Sequence, residues 1–377
     1  MPRTEPLFDT WYQCGDKKFH NIYQAFDNQK ETGCFPYLKL DPVFINNLKG
    51  IKRPKNLDHA YIKNLIVQTL KYYRKHFNYV RLFFGGGTDS FTILKYCIEH
   101  DIYIDEVYCA MASMIPSIKA NIEYLPGLIY AEKFIATHVG KVTYRYPTVD
   151  ELPFTKSLTW YKDEKVAPGM NAYTSCRRYS FYTWEQDTEW PIEDTVCFSG
   201  MEKPYVIKNE DGEYFYTMID SSIGDMMGTQ NVLPVWMDKN NPELTACMTF
   251  AFIDVAKEQS GSKLPDNSIL LSHDMQPNKF ELTHNIGLEN TGRRWLDLSF
   301  NGKDHLHNHN KHKQFMKSLV DIGRSDLIQR FDVSQKTIEF NYQDVPHAIT
   351  PFPDKPGANS VVRWGEKVQV FQENFGT

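Results

Sequence analysis

The chain has 377 residues, of which 41% are hydrophobic and 24% charged, and this composition is typical of a water-soluble globular protein long enough for two domains. Its 42 basic and 47 acidic residues leave a net charge of −5, so no overall positive field attracts nucleic acid or anionic lipid. The net charge leaves one alternative, a local basic groove that binds such a partner. The sequence shows no signal segment and no long apolar run, and its seven cysteines never form C-x-x-C, so we expect a cytoplasmic protein with no membrane partner.

The first 57 residues are rich in aromatic side chains and show no clear periodicity. We predict an irregular lead-in region over 1–57, with short strand-like pieces such as CFPYLKL at 34–40. Residues 58–77 differ, because apolar side chains recur there at close to helical spacing. The sequence therefore predicts a helix before the first strong strand.

The stretch RLFFGGGTDSFTIL, residues 81–94, contains the strongest local signal. A predicted strand, YVRLFF, ends in three glycines at 85–87, which allow a tight turn and a close approach of the backbone to a ligand. Residues 88–90 are Thr, Asp and Ser, the types that cap helix N-termini, and a helical pattern begins at Phe91. A strand, a glycine turn and a helix start can together hold a phosphate on backbone N–H groups, or can form a tight turn without a ligand.

Two familiar nucleotide-binding motifs do not fit this stretch. A Walker A loop closes with Gly-Lys-Ser/Thr, and no lysine follows Gly87. A dinucleotide-binding G-x-G-x-x-G motif needs a third glycine where this chain has Ser90.

Strands and helices alternate after the glycine loop. The predicted elements are a helix at 90–100, a strand at 105–111, a helix at 127–140 that stops at Gly140, and strands at 141–146 and 195–200. This alternation predicts an α/β fold, a parallel sheet with helices on both faces. The polar and aromatic segment 147–194, with a helix from 176, is predicted to lie between the last two strands.

A further helix is predicted to begin at Pro242, after the capping residue Asn241, and to end near Gly261. Beyond it the alternation stops, so we expect an accessory region over 261–377 with a strand-rich end, following a main domain over 58–260. Four histidines, His305, His307, His309 and His312, lie among Asn and Lys residues, which favours a hydrated surface loop over a metal-binding strand.

The loop FFGGGTDS resembles the PP-loop, S-G-G-x-D-S, of ATP pyrophosphatases, enzymes that split ATP into AMP and pyrophosphate. Gly85 stands in place of the usual serine, so one hydroxyl is missing while backbone donors remain. Three segments are similar to segments of bacteriophage asparagine-synthase-like proteins: YIKNLIVQTLKYYRKHFNYVRLFFGGGTDS, CFSGMEKPYVI at 197–207 and VLPVWMDKNNPELTACMTF at 232–250. The resemblance covers residues 15–260 and implies the adenine nucleotide alpha hydrolase-like fold of PP-loop enzymes.

The resemblance implies that ATP and Mg²⁺ bind at the carboxyl ends of the strands. The implied ATP-binding residues are Phe84, Gly85, Gly86, Gly87, Thr88, Asp89, Ser90, Gly200, Arg177 and Arg178. Asp89 would hold the magnesium ion, because hard cations prefer carboxylate and phosphate oxygens, or would only cap the next helix. Glu202 and Lys203 would be catalytic, with the lysine neutralising the departing pyrophosphate, or would be a solvated pair in a loop. The arginine pair would grip phosphate or carboxylate, or would lie on the surface.

The implied activity is adenylation of a carboxylate or carbonyl oxygen on a small molecule or nucleotide, followed by attack of an amine. Pro2 stands where glutamine-dependent asparagine synthetases carry a nucleophilic cysteine, so we expect no glutaminase step. Two alternatives stay open: a PP-loop transferase that modifies a nucleotide or base, including by sulfur transfer, and an ATP- or AMP-binding protein with weakened catalysis. The lack of paired cysteines disfavours sulfur transfer, and the missing serine keeps the second alternative open.

Overall fold

The computed structural model describes most of the first 259 residues and parts of the remainder. The described residues are 7, 9–34, 37–85, 88–117, 120–121, 124–157, 159–162, 192–200, 205–208, 214–217, 231–259, 309–341 and 368–369. The described strands form three sheets, and the central one positions the candidate site.

The described strands and helices are as follows. The strands are β1 (Thr10–Cys14), β2 (Lys17–Phe19), β3 (Tyr37–Leu40), β4 (Tyr79–Phe83), β5 (Ile104–Ala110), β6 (Val139–Arg145), β7 (Thr195–Ser199), β8 (Tyr205–Lys208), β9 (Tyr214–Thr217), β10 (Val232–Pro234) and β11 (Val368–Gln369). The helices are α1 (Ile22–Thr32), α2 (Pro42–Leu48), α3 (His59–His76), α4 (Thr88–Glu99), α5 (Leu125–Glu132), α6 (Pro153–Lys156), α7 (Pro242–Gln259), α8 (His309–Asp321) and α9 (Ser325–Asn341).

The N-terminal segment folds into regular structure, so the prediction of an irregular lead-in is wrong for residues 10–48. Its strands pair antiparallel in the order β2-β1-β3, and α1 and α2 follow β2 and β3. Gly15 turns the chain between β1 and β2 with a φ of 60°, a left-handed conformation that favours glycine. The strand expected within CFPYLKL is present as β3.

α3 confirms the helix predicted before the first strong strand. Asp58 caps it, accepting a hydrogen bond from the N–H of Tyr61 at 2.8 Å. Its buried side chains recur every three or four residues, as an amphipathic helix requires. They include Ile62, Leu65, Ile66, Leu70 and Tyr73. The helix leads directly into β4.

The central sheet has five parallel strands in the order β10-β7-β4-β5-β6. The chain therefore moves outward from β4 through β5 and β6, then returns to the other side of β4 with β7 and β10. Every residue of β4 and β7 is buried, and because successive side chains of a strand point to opposite faces, both faces of the sheet are covered. The predicted α/β fold with a parallel sheet is confirmed.

The helix predicted over 127–140 is wrong in its second half. α5 ends at Glu132, and Gly140 is the second residue of β6. A Cβ at Gly140 would lie 2.5 Å from the carbonyl oxygen of Asp105 in β5. The glycine is therefore needed for a close approach of two strands, not for a helix stop.

Three described elements of the C-terminal region, α8, α9 and β11, contact the rest of the protein. α8 and α9 contribute Phe315, Leu319 and Phe331 to the same core as the central sheet. The ring of Phe331 packs 5.5 Å from that of Phe154, between centroids. β11 pairs antiparallel with β9, which in turn pairs with β8. None of the described helices combines the length and apolar character needed to cross a membrane.

Candidate functional site

The strand order places the glycine loop at a reversal in the sheet. β4 has β5 on one side and β7 on the other, while later strands continue outward on both sides. In open parallel sheets a crevice forms at the carboxyl ends of the two strands that flank such a switch point. Phe83 pairs in register with Ser199, so β4 and β7 end at the same level. The segments that follow them begin at Phe84 and Gly200.

Gly200 touches the start of α4. A Cβ on Gly200 would lie 3.0 Å from the carbonyl carbon of Asp89 and 3.0 Å from the nitrogen of Ser90. It would also lie 3.1 Å from the Cβ of Asp89. These are backbone atoms or the first side-chain atom, which no rotamer change can move away. The structure therefore brings the residue after β7 against the two loop residues that resemble the end of a PP-loop, and only glycine fits there without a shift.

The first two residues after β4, Phe84 and Gly85, are each fixed by a hydrogen bond from the backbone N–H group. The N–H of Phe84 donates to the carbonyl of Tyr108 in β5 at 2.8 Å, and the Phe84 side chain is buried in the main core. The N–H of Gly85 donates to Oγ of Ser90 at 3.3 Å, which closes the loop across five residues. Phe84 thus anchors the loop by its side chain, and Ser90 ties it together.

Thr88, Asp89 and Ser90 lie inside α4, because the helix begins at Thr88 and not at Phe91 as predicted. The interpretation of these residues as N-caps is therefore wrong. They form the first turn, where helix N–H groups lack intrahelical acceptors and where Asp and Ser are readily accommodated. Asp89 is half-buried, so a carboxylate stands at the positive end of the helix beside the crevice.

Trp236 holds Gly200 from the other side. This residue follows β10 in a short 3-10 helix, Val235–Met237, and is fully buried. Its indole N–H donates to the carbonyl oxygen of Gly200 at 2.8 Å. The Trp236 carbonyl accepts a hydrogen bond from Oγ1 of Thr245 in α7, also at 2.8 Å. In the sequence this tryptophan is only one residue of a segment that carries the resemblance, and no local pattern predicts its contact with Gly200.

The neighbouring strand β5 also ends in a fixed segment. Oδ1 of the buried Asn121 accepts hydrogen bonds from the N–H groups of Ala112 and Ser113, each at 2.9 Å. The hydroxyl of Tyr124 donates to the carbonyl of Ala110 at 2.7 Å. These bonds fix the backbone that follows β5, at the same edge of the sheet as the ends of β4 and β7. No sequence motif marks Asn121 or Tyr124.

A buried ion pair on the sheet fixes the position of β4 behind the loop. Nε of Arg81 donates to Glu106 of β5, and both side chains are at most 2% exposed. The hydroxyl of Tyr79 donates to the same carboxylate at 3.0 Å. Burial, followed by the charge of Glu106, raises the pKa of Tyr79. Three polar side chains thus join β4 to β5 in one register.

Several predicted site residues lie outside the described residues. They are Gly86, Gly87, Arg177, Arg178, Glu202, Lys203, His305 and His307. The other two histidines of the cluster, His309 and His312, lie on α8 and not in a loop, which corrects that prediction for them. Within the described ranges, no group of three or more His, Cys, Asp or Glu side chains is arranged to hold a metal ion.

Comparisons of the chain with protein-family models, with curated proteins and with solved structures find no match. The resemblance of the glycine loop to a PP-loop therefore stays a prediction, supported by the residues and their geometry alone.

Proposed function

We propose that the chain is a PP-loop enzyme that converts ATP to AMP and pyrophosphate while adenylating a carboxylate or carbonyl oxygen for attack by an amine. The observation that carries the proposal is the contact of Gly200 with Asp89 and Ser90 at the switch point of a parallel sheet. A tight turn that binds nothing would explain the glycines at 85–87, but it would not explain why a second strand end is pressed against the same helix start.

A helix start, a glycine turn and a carboxylate would suit a nucleoside triphosphate. A helix N-terminus beside a glycine-rich turn favours phosphate, because backbone N–H groups and the helix dipole face the anion. Asp89, half-buried in the first turn of α4, would hold Mg²⁺, which proteins commonly bind through one or two carboxylates together with substrate phosphates. The magnesium ion would neutralise charge on the phosphates. Lys203, a few residues beyond Gly200, would then stabilise the departing pyrophosphate.

Adenylation suits this arrangement chemically. A carboxylate oxygen is a poor leaving group. Attack of that oxygen on the α-phosphorus of ATP forms an acyl adenylate, from which the oxygen can leave as part of AMP, a good leaving group. Pyrophosphate leaves in this step, and the amine displaces AMP in the next. The protein contributes mainly by orienting the reactants and by stabilising charge, so rigid strand ends are an advantage.

The described cysteines give the sulfur-transfer alternative little support. Of the six, only Cys34 is exposed. Burial raises the pKa of Cys97, and burial together with the charge of Glu243 raises that of Cys247 to about 12. Thiols with such pKa values are poor nucleophiles at neutral pH, because the thiolate is the reactive form.

The direct test is to identify the products of ATP turnover. The protein is incubated with Mg²⁺ and ATP labelled in the α- or γ-phosphate, with and without panels of carboxylic acids and amines. We expect AMP and pyrophosphate, with exchange of labelled pyrophosphate into ATP when the correct acid is present. ADP and phosphate as the main products would refute the proposal, as would failure to bind Mg·ATP.

A further inference from the structure

We propose that Trp236 is a positioning residue of the candidate nucleotide site, which acts through Gly200 on the first turn of α4. Its role in nucleotide binding rests on the proposed function. The chain of contacts from the indole to the helix does not.

The first contact is the hydrogen bond from the Trp236 indole to the carbonyl of Gly200. The indole is fully buried, and its bond to Gly200 is buried as well. A buried carbonyl without a partner is costly, so this bond determines where the chain leaves β7. Trp236 therefore selects one position for Gly200 rather than merely filling space.

The second contact transmits that position to α4. The Cα of Gly200 packs so closely on Asp89 and Ser90 that even a methyl group would not fit at ordinary distances. A displacement of Gly200 toward the helix must move the backbone that bears the Asp89 carboxylate. A displacement away from it opens a gap, because interiors have few voids. In both cases the turn that would face the phosphates changes.

Trp236 is itself anchored away from the crevice. Its carbonyl accepts the hydrogen bond from Thr245, a fully buried residue in the first turns of α7. Its side chain belongs to the main core. The contacts thus run from α7 through Trp236 and Gly200 to α4, and link the third segment of the resemblance to the first two.

An ordinary core role for Trp236 makes a different prediction. A core tryptophan contributes stability, and its replacement by phenylalanine lowers the melting temperature without a specific effect on α4. A positioning residue adds a loss of order in the first turn of α4 and a loss of nucleotide affinity, beyond those of an equally destabilised variant.

The experiment compares Trp236→Phe with Trp160→Phe. Each change removes an indole from a buried position, but Trp160 packs against Phe154 and Phe331 instead of Gly200. Thr245→Val is a milder second variant, because it removes only the hydrogen bond to the Trp236 carbonyl. Three quantities are measured for each full-length variant: the melting temperature, the Kd for Mg·ATP by calorimetry, and amide exchange in the peptide spanning 85–91.

For Trp236→Phe we expect several-fold faster amide exchange over 85–91 and a Kd for Mg·ATP about tenfold higher. A tenfold change in Kd corresponds to about 1.4 kcal/mol, which lies within the range that an unpaired buried carbonyl costs. Thr245→Val should show the same changes more weakly, and Trp160→Phe should show neither at a similar loss of melting temperature. Equal changes in Trp236→Phe and Trp160→Phe, or unchanged exchange in both Trp236→Phe and Thr245→Val, would overturn the proposal. If wild-type protein does not bind Mg·ATP, the proposed function fails, and the exchange comparison alone decides whether Trp236 positions α4.

Discussion

Replacement of Gly200 by alanine places a methyl carbon 3.0 Å from two backbone atoms of the first turn of α4. Ordinary van der Waals contacts begin at 3.4 Å, so the strand end and the helix must separate by a few tenths of an ångström or more. Both partners are backbone, and Trp236 holds the carbonyl of Gly200, so a simple rotation cannot relieve the contact.

Overpacking of this kind costs about 1–3 kcal/mol in stability. In a chain of this size we expect the melting temperature to fall by about 2–12 °C, from roughly 2–4 °C for each kcal/mol. The effect on activity should be larger, because a shift of about 1 Å in a catalytic group can lower a rate by about 10²-fold. We therefore expect AMP formation to drop by about ten- to a hundredfold under saturating Mg·ATP.

Gly50→Ala is the matched control. Its added Cβ would meet no atom within 4 Å, and its φ lies outside the left-handed region. Alanine there should leave activity unchanged and stability equal or slightly higher, because it restricts the unfolded chain. The assay is release of AMP from labelled ATP, read beside thermal unfolding. If Gly200→Ala keeps wild-type turnover and melting temperature, the close approach of β7 to α4 is not what the structure indicates, and the site argument fails with it.

Two further substitutions test carboxyl groups: Asp89 of the candidate site, and Asp238, which directly follows the short helix that contains Trp236. Asp89→Asn should weaken binding of Mg·ATP and strengthen binding of metal-free ATP, measured by calorimetry with Mg²⁺ and with EDTA; effects of the same sign in both titrations would contradict the assigned role. Burial raises the pKa of the Asp238 carboxyl above its ordinary value of 3.8, so protonation favours the folded state and stability should fall as pH rises above 3.8. Asp238→Asn keeps an acceptor for the Tyr73 hydroxyl and should therefore raise the melting temperature at pH 7 but not at pH 3.5, whereas an equal shift at both pH values would exclude this linkage.

The sequence predicted the central sheet well because its strands are buried on both faces. β4 and β7 have apolar centres, and glycine comes soon after each: Gly85 follows β4 after Phe84, and Gly200 follows β7 directly. Such segments stand out from their surroundings, and the order of elements along the chain already favours parallel pairing. The sequence predicts the start of α4 two to three residues too late, because Thr, Asp and Ser are typical caps although the first turn of a helix also accepts them.

Features that depend on distant contacts were not predictable in the same way. Gly140 follows an apolar periodic segment and was interpreted as a helix stop, but its role comes from Asp105 in another strand. The hairpin at Gly15 had a local signal, a Gly-Asp pair between alternating residues, but its strands are only five and three residues long. Trp236 and Asn121 have no local signal at all, because what makes them important is the backbone group to which each one bonds.

In the proposed site, the carboxylate of Asp89 would determine what kind of anion the helix start can accept. A helix N-terminus attracts phosphate, but an ionised aspartate in its first turn repels it. Two unit charges 4 Å apart repel by about 1 kcal/mol in water and by about 4 kcal/mol at the effective dielectric constant near a protein surface. This repulsion equals or exceeds the roughly 0.3–2 kcal/mol that a helix dipole contributes in the opposite sense. Metal-free phosphate should therefore bind poorly. If Asp89 held a Mg²⁺ ion together with the phosphates, the sign of its contribution would be reversed, because the carboxylate would then favour a cation bound with the nucleotide. For this reason the opposite responses of Asp89→Asn to metal-bound and metal-free ATP distinguish a magnesium–nucleotide site from a simple anion site or an empty turn.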